Sequence, residues 1–229
     1  MERAILLTGA TGGIGAAIAH ALSRPEHWLL MAGRRQDVLD GLLEQVGGAT
    51  MAGDLSDPAY VRSLIDALRR AQGYPVLVQC AGLARFGDFA EMPWADIEEQ
   101  AATNMLGAMR LAHAFVPLAL ERGGGQIVDV LSVASVRCFP NSEAYCASKA
   151  GMLAFDRCLA ASYRRRGLRV TSLLPGAVDT PLWDANGNPD PSKMLTPAAV
   201  AKAVADLVEM PFDRNVDEVL LMPPGGTID

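Results

Sequence analysis

Short apolar runs of strand length alternate with longer amphipathic stretches from one end of this 229-residue chain to the other, and that alternation leaves few folds open. Strands joined by helix-length connections pair in parallel, and a parallel sheet must be covered on both faces. Strands are expected at about 3–8, 28–32, 49–52, 75–79, 126–131, 168–174 and 218–222, with helices at about 13–23, 36–46, 58–72, 93–122, 143–165 and 197–209. Asp57-Pro58 and Thr196-Pro197 each set a capping side chain before a proline suited to the first helical turn. Half of the residues are apolar, so one domain spanning 1–229 can bury a large core. No repeat, low-complexity tract or linker divides it. The segment at about 181–195, rich in Asn, Gly, Pro and Asp, reads as a surface loop placed where a lid over a strand end would sit.

Charge and cysteine usage exclude several classes of function. A net charge of −6 with no basic run longer than Arg164-Arg165-Arg166 argues against a nucleic-acid surface. Cys80, Cys138, Cys146 and Cys158 lack the spacing of a zinc site or a disulfide framework, so no metal is expected and the thiols suit a reducing cytosol. The first strand begins at once, without a charged leader, so export is not expected. The apolar stretch from Met105 to Leu120 is interrupted by Arg110 and His113, well short of a membrane span. The expectation is a soluble, cytoplasmic protein.

Residues 8–15 read Thr-Gly-Ala-Thr-Gly-Gly-Ile-Gly, between the first strand and the first helix. Glycines there turn the chain tightly and admit a pyrophosphate to the main chain, at a helix N-terminus that favours its charge. This is a nucleotide site. The second strand ends Met31-Ala32-Gly33-Arg34-Arg35, with no acid before Asp37. A carboxylate at that strand end would hold a free ribose 2′-hydroxyl, whereas two guanidiniums suit a 2′-phosphate. The pattern favours NADP(H) over NAD(H).

Between Ser132 and Lys149 the chain carries a hydroxyl, a phenol and an ammonium. Tyr145 and Lys149, four apart, share a face if the segment is helical. A cation fixed beside a phenol lowers its pKa, by about 1.4 kcal/mol per unit, and so makes a usable proton donor and acceptor.

With these pieces in place the chain resembles the short-chain dehydrogenases/reductases over nearly its whole length. Gly9, Gly13 and Gly15 match the single-domain form of the family, and Gly9, Gly12 and Gly15 its extended form; the length leaves no room for the extended form's extra domain. The resemblance implies a Rossmann-type α/β fold, doubly wound, with a seven-stranded parallel sheet flanked by helices on both faces. It implies that Gly9, Thr11, Gly12, Gly13, Ile14 and Gly15 cradle the cofactor, that Asp54 and Leu55 meet the adenine, and that Ala81 and Gly82 approach the adenosine ribose. Turn or capping is the competing role for Asp54. Gln79-Cys80-Ala81-Gly82 departs from the family's Asn-Asn-Ala-Gly, with Cys80 replacing an asparagine that steadies the sheet. Pro175, Gly176, Val178 and Thr180 would hold the nicotinamide.

The same resemblance implies hydride transfer between nicotinamide and a carbonyl or alcohol carbon of a small substrate. Ser132 would bond the substrate oxygen, Tyr145 would protonate it, Lys149 would lower the phenol's pKa and bind the nicotinamide ribose, and Asn104 would hold a water near the lysine. The alternatives are an NAD-dependent alcohol dehydrogenase and a dinucleotide-binding regulator without turnover. Leu83 to Phe89, Val133 to Phe139, Leu182 and Trp183 would line an apolar substrate pocket, with Arg85 or Arg137 as surface residues or anion contacts. Apolar residues on several faces of helices 93–122 and 143–165 point to a homodimer or homotetramer, with no nucleic acid and no membrane as partner.

Overall fold

The structure, a computed structural model, describes residues 2–184, 186–187 and 189–227; residues 185 and 188 of the expected loop lie outside the described residues. Seven strands, β1 (Arg3–Thr8), β2 (His27–Gly33), β3 (Ala49–Ala52), β4 (Tyr74–Gln79), β5 (Gly125–Val130), β6 (Leu168–Pro175) and β7 (Glu218–Leu221), form one parallel sheet in the order β3-β2-β1-β4-β5-β6-β7. Among the described residues seven α-helices lie between them: α1 (Gly13–Leu22), α2 (Gln36–Val46), α3 (Pro58–Arg70), α4 (Trp94–Ala101), α5 (Ala108–Glu121), α6 (Glu143–Tyr163) and α7 (Pro197–Val208). The order reverses between β1 and β4. A crevice opens there at the carboxyl ends of the strands, where ligands bind in open α/β sheets.

Side chains alternate across each strand, so two cores form. Ile5, Leu7, Met31, Val76 and Val128 pack with Ile18, Leu22, Leu39, Val200 and Val204 of α1, α2 and α7. Leu6, Leu30, Leu77 and Ile127 pack on the other face with Leu64, Leu68, Leu111 and Phe115 of α3 and α5. Each fully buried side chain of this kind contributes roughly 1.5–3 kcal/mol. Asp57 accepts from Ala59 N–H and Thr196 from Ala199 N–H, so the two expected caps start α3 and α7.

One expected element differs. The stretch 93–122 is not a single α-helix: a π-helical turn, Ala102–Gly107, separates α4 from α5. Such an insertion widens one turn and re-aims its side chains, and it recurs at functional sites. Here it carries Asn104, which is 2 % exposed.

Candidate active site

At the crevice the glycines of the first turn are fixed by contacts. Gly9 has φ +68°, and a Cβ on it would lie 2.6 Å from the Cys80 carbonyl. A Cβ on Gly15 would lie 2.1 Å from Gly9 O, so both positions require glycine. Gly12 and Gly13 are freer, their nearest contacts being at 3.4 and 3.0 Å. No side chain caps α1, which leaves its first N–H groups open to an anion.

A cavity of about 300 Å³ runs from this turn past Gly33, Arg34 and Arg35 to Asp54, Leu55, Ala81 and Gly82. The residues fit a dinucleotide, with a glycine cradle, a helix N-terminus and cations at the far end. Gly33 has a steric reason too, since a Cβ there would meet Thr11 Cγ2 at 2.7 Å. The Arg35 guanidinium donates to the Thr11 carbonyl, tying β2 to the glycine turn. Arg34 is more loosely held, 3.7 Å from Glu99. The Asp54 carboxylate accepts from Ser56 N–H at 2.7 Å. That bond, with the charges of Arg34 and Arg110 adding to it, holds the carboxyl below its ordinary value. The turn role weighed for Asp54 is therefore realised, at a position that still lines the cavity.

Tyr145 and Lys149 lie on α6, with the ammonium 5.9 Å from the phenol ring centre. Ser132 begins a 3-10 turn at the end of β5, its hydroxyl accepting from Ala134 N–H at 3.1 Å. Burial pushes the Tyr145 phenol above its usual value, and a hydrogen bond with Ser132 only partly offsets this. The acidic phenol expected beside Lys149 is thus corrected: desolvation is the dominant influence on the phenol and raises it, so the group is a protonated acid at neutral pH. The same burial pulls the Lys149 ammonium below its usual value, opposed by Cys80, Asp129 and Asp156. Cys80, pushed up to about 12 by burial, stands there as a neutral thiol.

Asn104 is committed on every side. Its Oδ1 accepts from Leu83 N–H at 2.8 Å, and its Nδ2 donates to Leu83 O at 2.9 Å and Ser148 Oγ at 3.1 Å. It pins the segment after β4 to α6. A Cβ placed on Gly82 would stand 3.3 Å from Asn104 Oδ1 and 3.4 Å from Lys149 Nζ, so all three groups converge on one point.

A second cavity, of about 520 Å³, opens beside Ser132 and Tyr145. Ile14, Pro175, Gly176, Val178 and Thr180 line its cofactor side, and Leu182 and Trp183 lie opposite. Trp183 Nε1 donates to Val178 O at 3.0 Å, tying the 3-10 turn of Leu182 and Trp183 to the segment after β6. Phe86 stacks edge-on to Tyr145 at 5.6 Å and lies 5.7 Å from Trp183. Neither Arg85 nor Arg137 lines the cavity; Arg85 pairs with Asp96 at 3.1 Å and Glu99 at 2.7 Å on the surface. Several lining residues escaped the sequence reading, among them Pro140, Ser142, Asn186 and Thr227. Asn186 accepts from Phe86 N–H at 3.1 Å and donates to Ala84 O at 3.2 Å, clamping the loop after β6 across the pocket. Thr227 reaches the cavity from the C-terminal segment. A lone Asn in a loop and a Thr after the last strand carry no motif that could have marked them.

Comparison with known proteins agrees with this geometry. Residues 3–190 match the family model described as short chain dehydrogenase. The chain is 32% identical over 241 residues to a sepiapterin reductase of Chlorobaculum tepidum, covering 100% of this chain and 99% of that one. It is 34% identical over 189 residues to a D-threitol dehydrogenase of Mycolicibacterium smegmatis, covering 78% and 73%. Among solved structures, an alcohol dehydrogenase of the archaeon Thermococcus sibiricus complexed with 5-hydroxy-NADP superposes with a TM-score of 0.88 at 29% identity over the whole of both chains. An actinorhodin polyketide ketoreductase with NADPH, 24% identical, shares the fold with a TM-score of 0.87 over 97% of this chain and 96% of that one. The chain belongs to the short-chain dehydrogenase/reductase family of oxidoreductases, in its single-domain form.

Proposed function

We propose that this protein is an NADP(H)-dependent reductase of a small carbonyl compound. One observation carries the reading. The Tyr145 phenol, made a weaker acid by burial, lines an apolar cavity together with Ser132, next to the nucleotide crevice. A phenol that holds its proton is a donor, which suits reduction. Arg34 and Arg35 at the end of β2, with no carboxylate at Gly33, support the phosphorylated cofactor, as does the NADP derivative in the Thermococcus sibiricus structure.

The cofactor, when bound, supplies the hydride. Everything else falls to the chain. Gly9, Thr11, Gly12, Gly13, Ile14 and Gly15 hold the pyrophosphate on the α1 terminus. Asp54, Leu55, Ala81 and Gly82 border the adenosine. Pro175, Gly176, Val178 and Thr180 shape the nicotinamide wall. Ser132 bonds the substrate oxygen, Tyr145 gives it a proton, and Lys149 holds a positive charge behind the phenol. Asn104 positions Lys149's surroundings by fixing the segment from Gly82 to Leu83. The apolar walls formed by Phe86, Leu182 and Trp183 exclude water and take an uncharged substrate.

All of 1–229 acts as one domain in this reading, and the enzyme works in the cytoplasm as a homodimer or homotetramer. Leu106, 50 % exposed, and Trp94, 67 % exposed, on the stretch from α4 to α5 support the pairing. No helix among the described residues is long and apolar enough to cross a membrane. The test is Tyr145→Phe. Reduction of carbonyl compounds by NADPH should fall at least about a hundredfold while NADPH binding stays within about twofold, since only a proton donor is removed. Turnover near the wild-type rate refutes the assignment.

A further inference from the structure

A polar row, buried from Thr8 to Ser172 and reaching the surface at Glu218, crosses the sheet beneath Lys149. Thr8 pairs with Gln79, Gln79 with Asp129, Asp129 with Ser172 and Ser172 with Glu218, so one register line across β1, β4, β5, β6 and β7 is polar throughout. Two residues earlier, on the same face, the corresponding line is Leu6, Leu77, Ile127 and Val170, all buried. The polar row is therefore not the ordinary chemistry of this sheet, whose covered faces favour apolar side chains.

Asp156 of α6 closes over the row, its Oδ2 accepting from Ser172 Oγ at 2.7 Å. Asp129 is 1% exposed and Asp156 2%. Taken as two carboxylates, both Asp129 oxygens and Asp156 Oδ1 lack a donor at full hydrogen-bond geometry among the described residues, the likewise unpaired Gln79 amide being the donor beside Asp129 in the register. A single proton between them pairs two of the three oxygens, because one carboxyl then donates to the other, and leaves the Gln79 amide for the third; two like charges in one dry site do not both ionise. Burial pushes both carboxyls up, Asp156 well above its ordinary value under the added charge of Asp129. Lys149, whose Nζ is 3.4 Å from Val130 O, faces the pair together with the neutral Cys80 thiol, and Tyr145 lies one turn before it on α6.

The row also has an exit. A cavity of about 230 Å³ is lined by Asp156 and Ser172 and opens at the β7 edge between the ion pairs Arg157–Glu218 and Arg164–Asp217. Asn104, the residue expected to serve a water beside the lysine, has its side-chain amide committed to Leu83 and Ser148.

We propose that Asp129 and Asp156 share one proton and form a proton path from Lys149, through the core, to solvent at the β7 edge. The path rests on the reductase reading above. In each reduction Tyr145 gives one proton to the substrate oxygen as the nicotinamide gives its hydride to carbon. Lys149 restores the phenol, and as the shared proton moves on to the lysine a proton from bulk solvent enters the pair through the edge cavity, so the two carboxyls keep one proton between them throughout. The balance is one proton and one hydride consumed per carbonyl. Asp129 and Asp156 act through Lys149 and touch no substrate, so they are positioning residues for the proton.

The test compares wild type with Asp156→Asn, Asp129→Asn and Ser172→Ala, the last being the mildest change should an aspartate variant fail to fold. Carbon-13 NMR of labelled aspartate carboxyls, followed through neutral pH, should show one proton on the Asp129/Asp156 pair in wild type, and Asp156→Asn should abolish that coupled signal. Two ionised carboxyls at neutral pH overturn the proposal. In NADPH-driven carbonyl reduction, Asp156→Asn should lower kcat about tenfold, leave KM unchanged, and move the alkaline limb of the kcat profile at least about one pH unit lower. Ser172→Ala should show a smaller shift in the same direction. Profiles that superimpose on wild type overturn the path while leaving the reductase reading standing. A wild type that reduces no carbonyl with NADPH overturns that reading, and the path with it.

Discussion

Replacing Arg34 with alanine separates a residue that reads the cofactor's phosphate from one that holds the site together. Arg34 and Arg35 are adjacent, yet their environments differ. The side chain of Arg34 is 61% exposed, and its one ion-pair partner among the described residues is Glu99, at 3.7 Å. An exposed pair of that kind is worth at most about 1 kcal/mol, so little opposes the guanidinium turning to a phosphate. The Arg35 guanidinium is already bound to the Thr11 carbonyl in the glycine turn. A hydrogen bond to a charged group contributes about 1.5–3 kcal/mol, and the wet mouth of the crevice places Arg34 at the lower figure. Arg34→Ala should therefore weaken NADPH about tenfold and leave NADH within about twofold. Arg35→Ala should weaken both, because the Thr11 carbonyl loses its donor and the turn loosens; a hydrogen bond from a charged guanidinium, about 1.5 kcal/mol at this exposed site, makes the common loss about tenfold. Fluorescence titration of each variant with NADPH and NADH, at low and high salt, reads all four quantities. Screening should shrink the Arg34 effect at high salt. An Arg34→Ala loss equal for the two cofactors would show that this side chain does not discriminate between them.

Glycine offers two opposite outcomes. Gly15→Ala should abolish cofactor binding and lower Tm, because its Cβ meets Gly9 O at 2.1 Å, whereas Gly41→Ala, inside α2 with nothing within 4 Å, should stabilise by about 0.5–1 kcal/mol; thermal melts and NADPH titration check both. The buried carboxyl pair should tilt stability against pH. With the folded pKa of Asp156 raised, the unfolded chain ionises first as pH rises past the ordinary carboxylate value, so the folded state loses stability from there up to its own raised pKa. The slope approaches roughly 1.4 kcal/mol per pH unit where the states differ by one proton. Urea unfolding of wild type and Asp156→Asn at successive pH values should show the variant with a flatter profile, and parallel profiles would contradict a shared buried proton.

Local rules made most of the scaffold legible. Apolar runs of strand length, Asp57-Pro58, Thr196-Pro197 and the glycine turn at residues 9–15 each act within a few residues of chain, and every strand and helix start they imply is present within one or two residues. Ser132, Tyr145 and Lys149 were likewise visible, because thirteen and four residues of spacing along β5 and α6 survive folding intact. The π-helical turn under Asn104 was not, since it depends on the segment after β4 docking on the helix through Leu83.

The sequence by itself determined the α/β alternation, the nucleotide turn and the identities of the proton-handling side chains, all of them matters of neighbours in the chain. Only the tertiary structure decided how those side chains behave. It took water away from Tyr145 and so made the phenol a weaker acid where one-dimensional spacing predicted a stronger one. It also brought Gln79, Asp129, Asp156 and Ser172, far apart in the chain, into one dry cluster beneath Lys149. Desolvation and register are properties of packing between distant segments, and no local pattern encodes them.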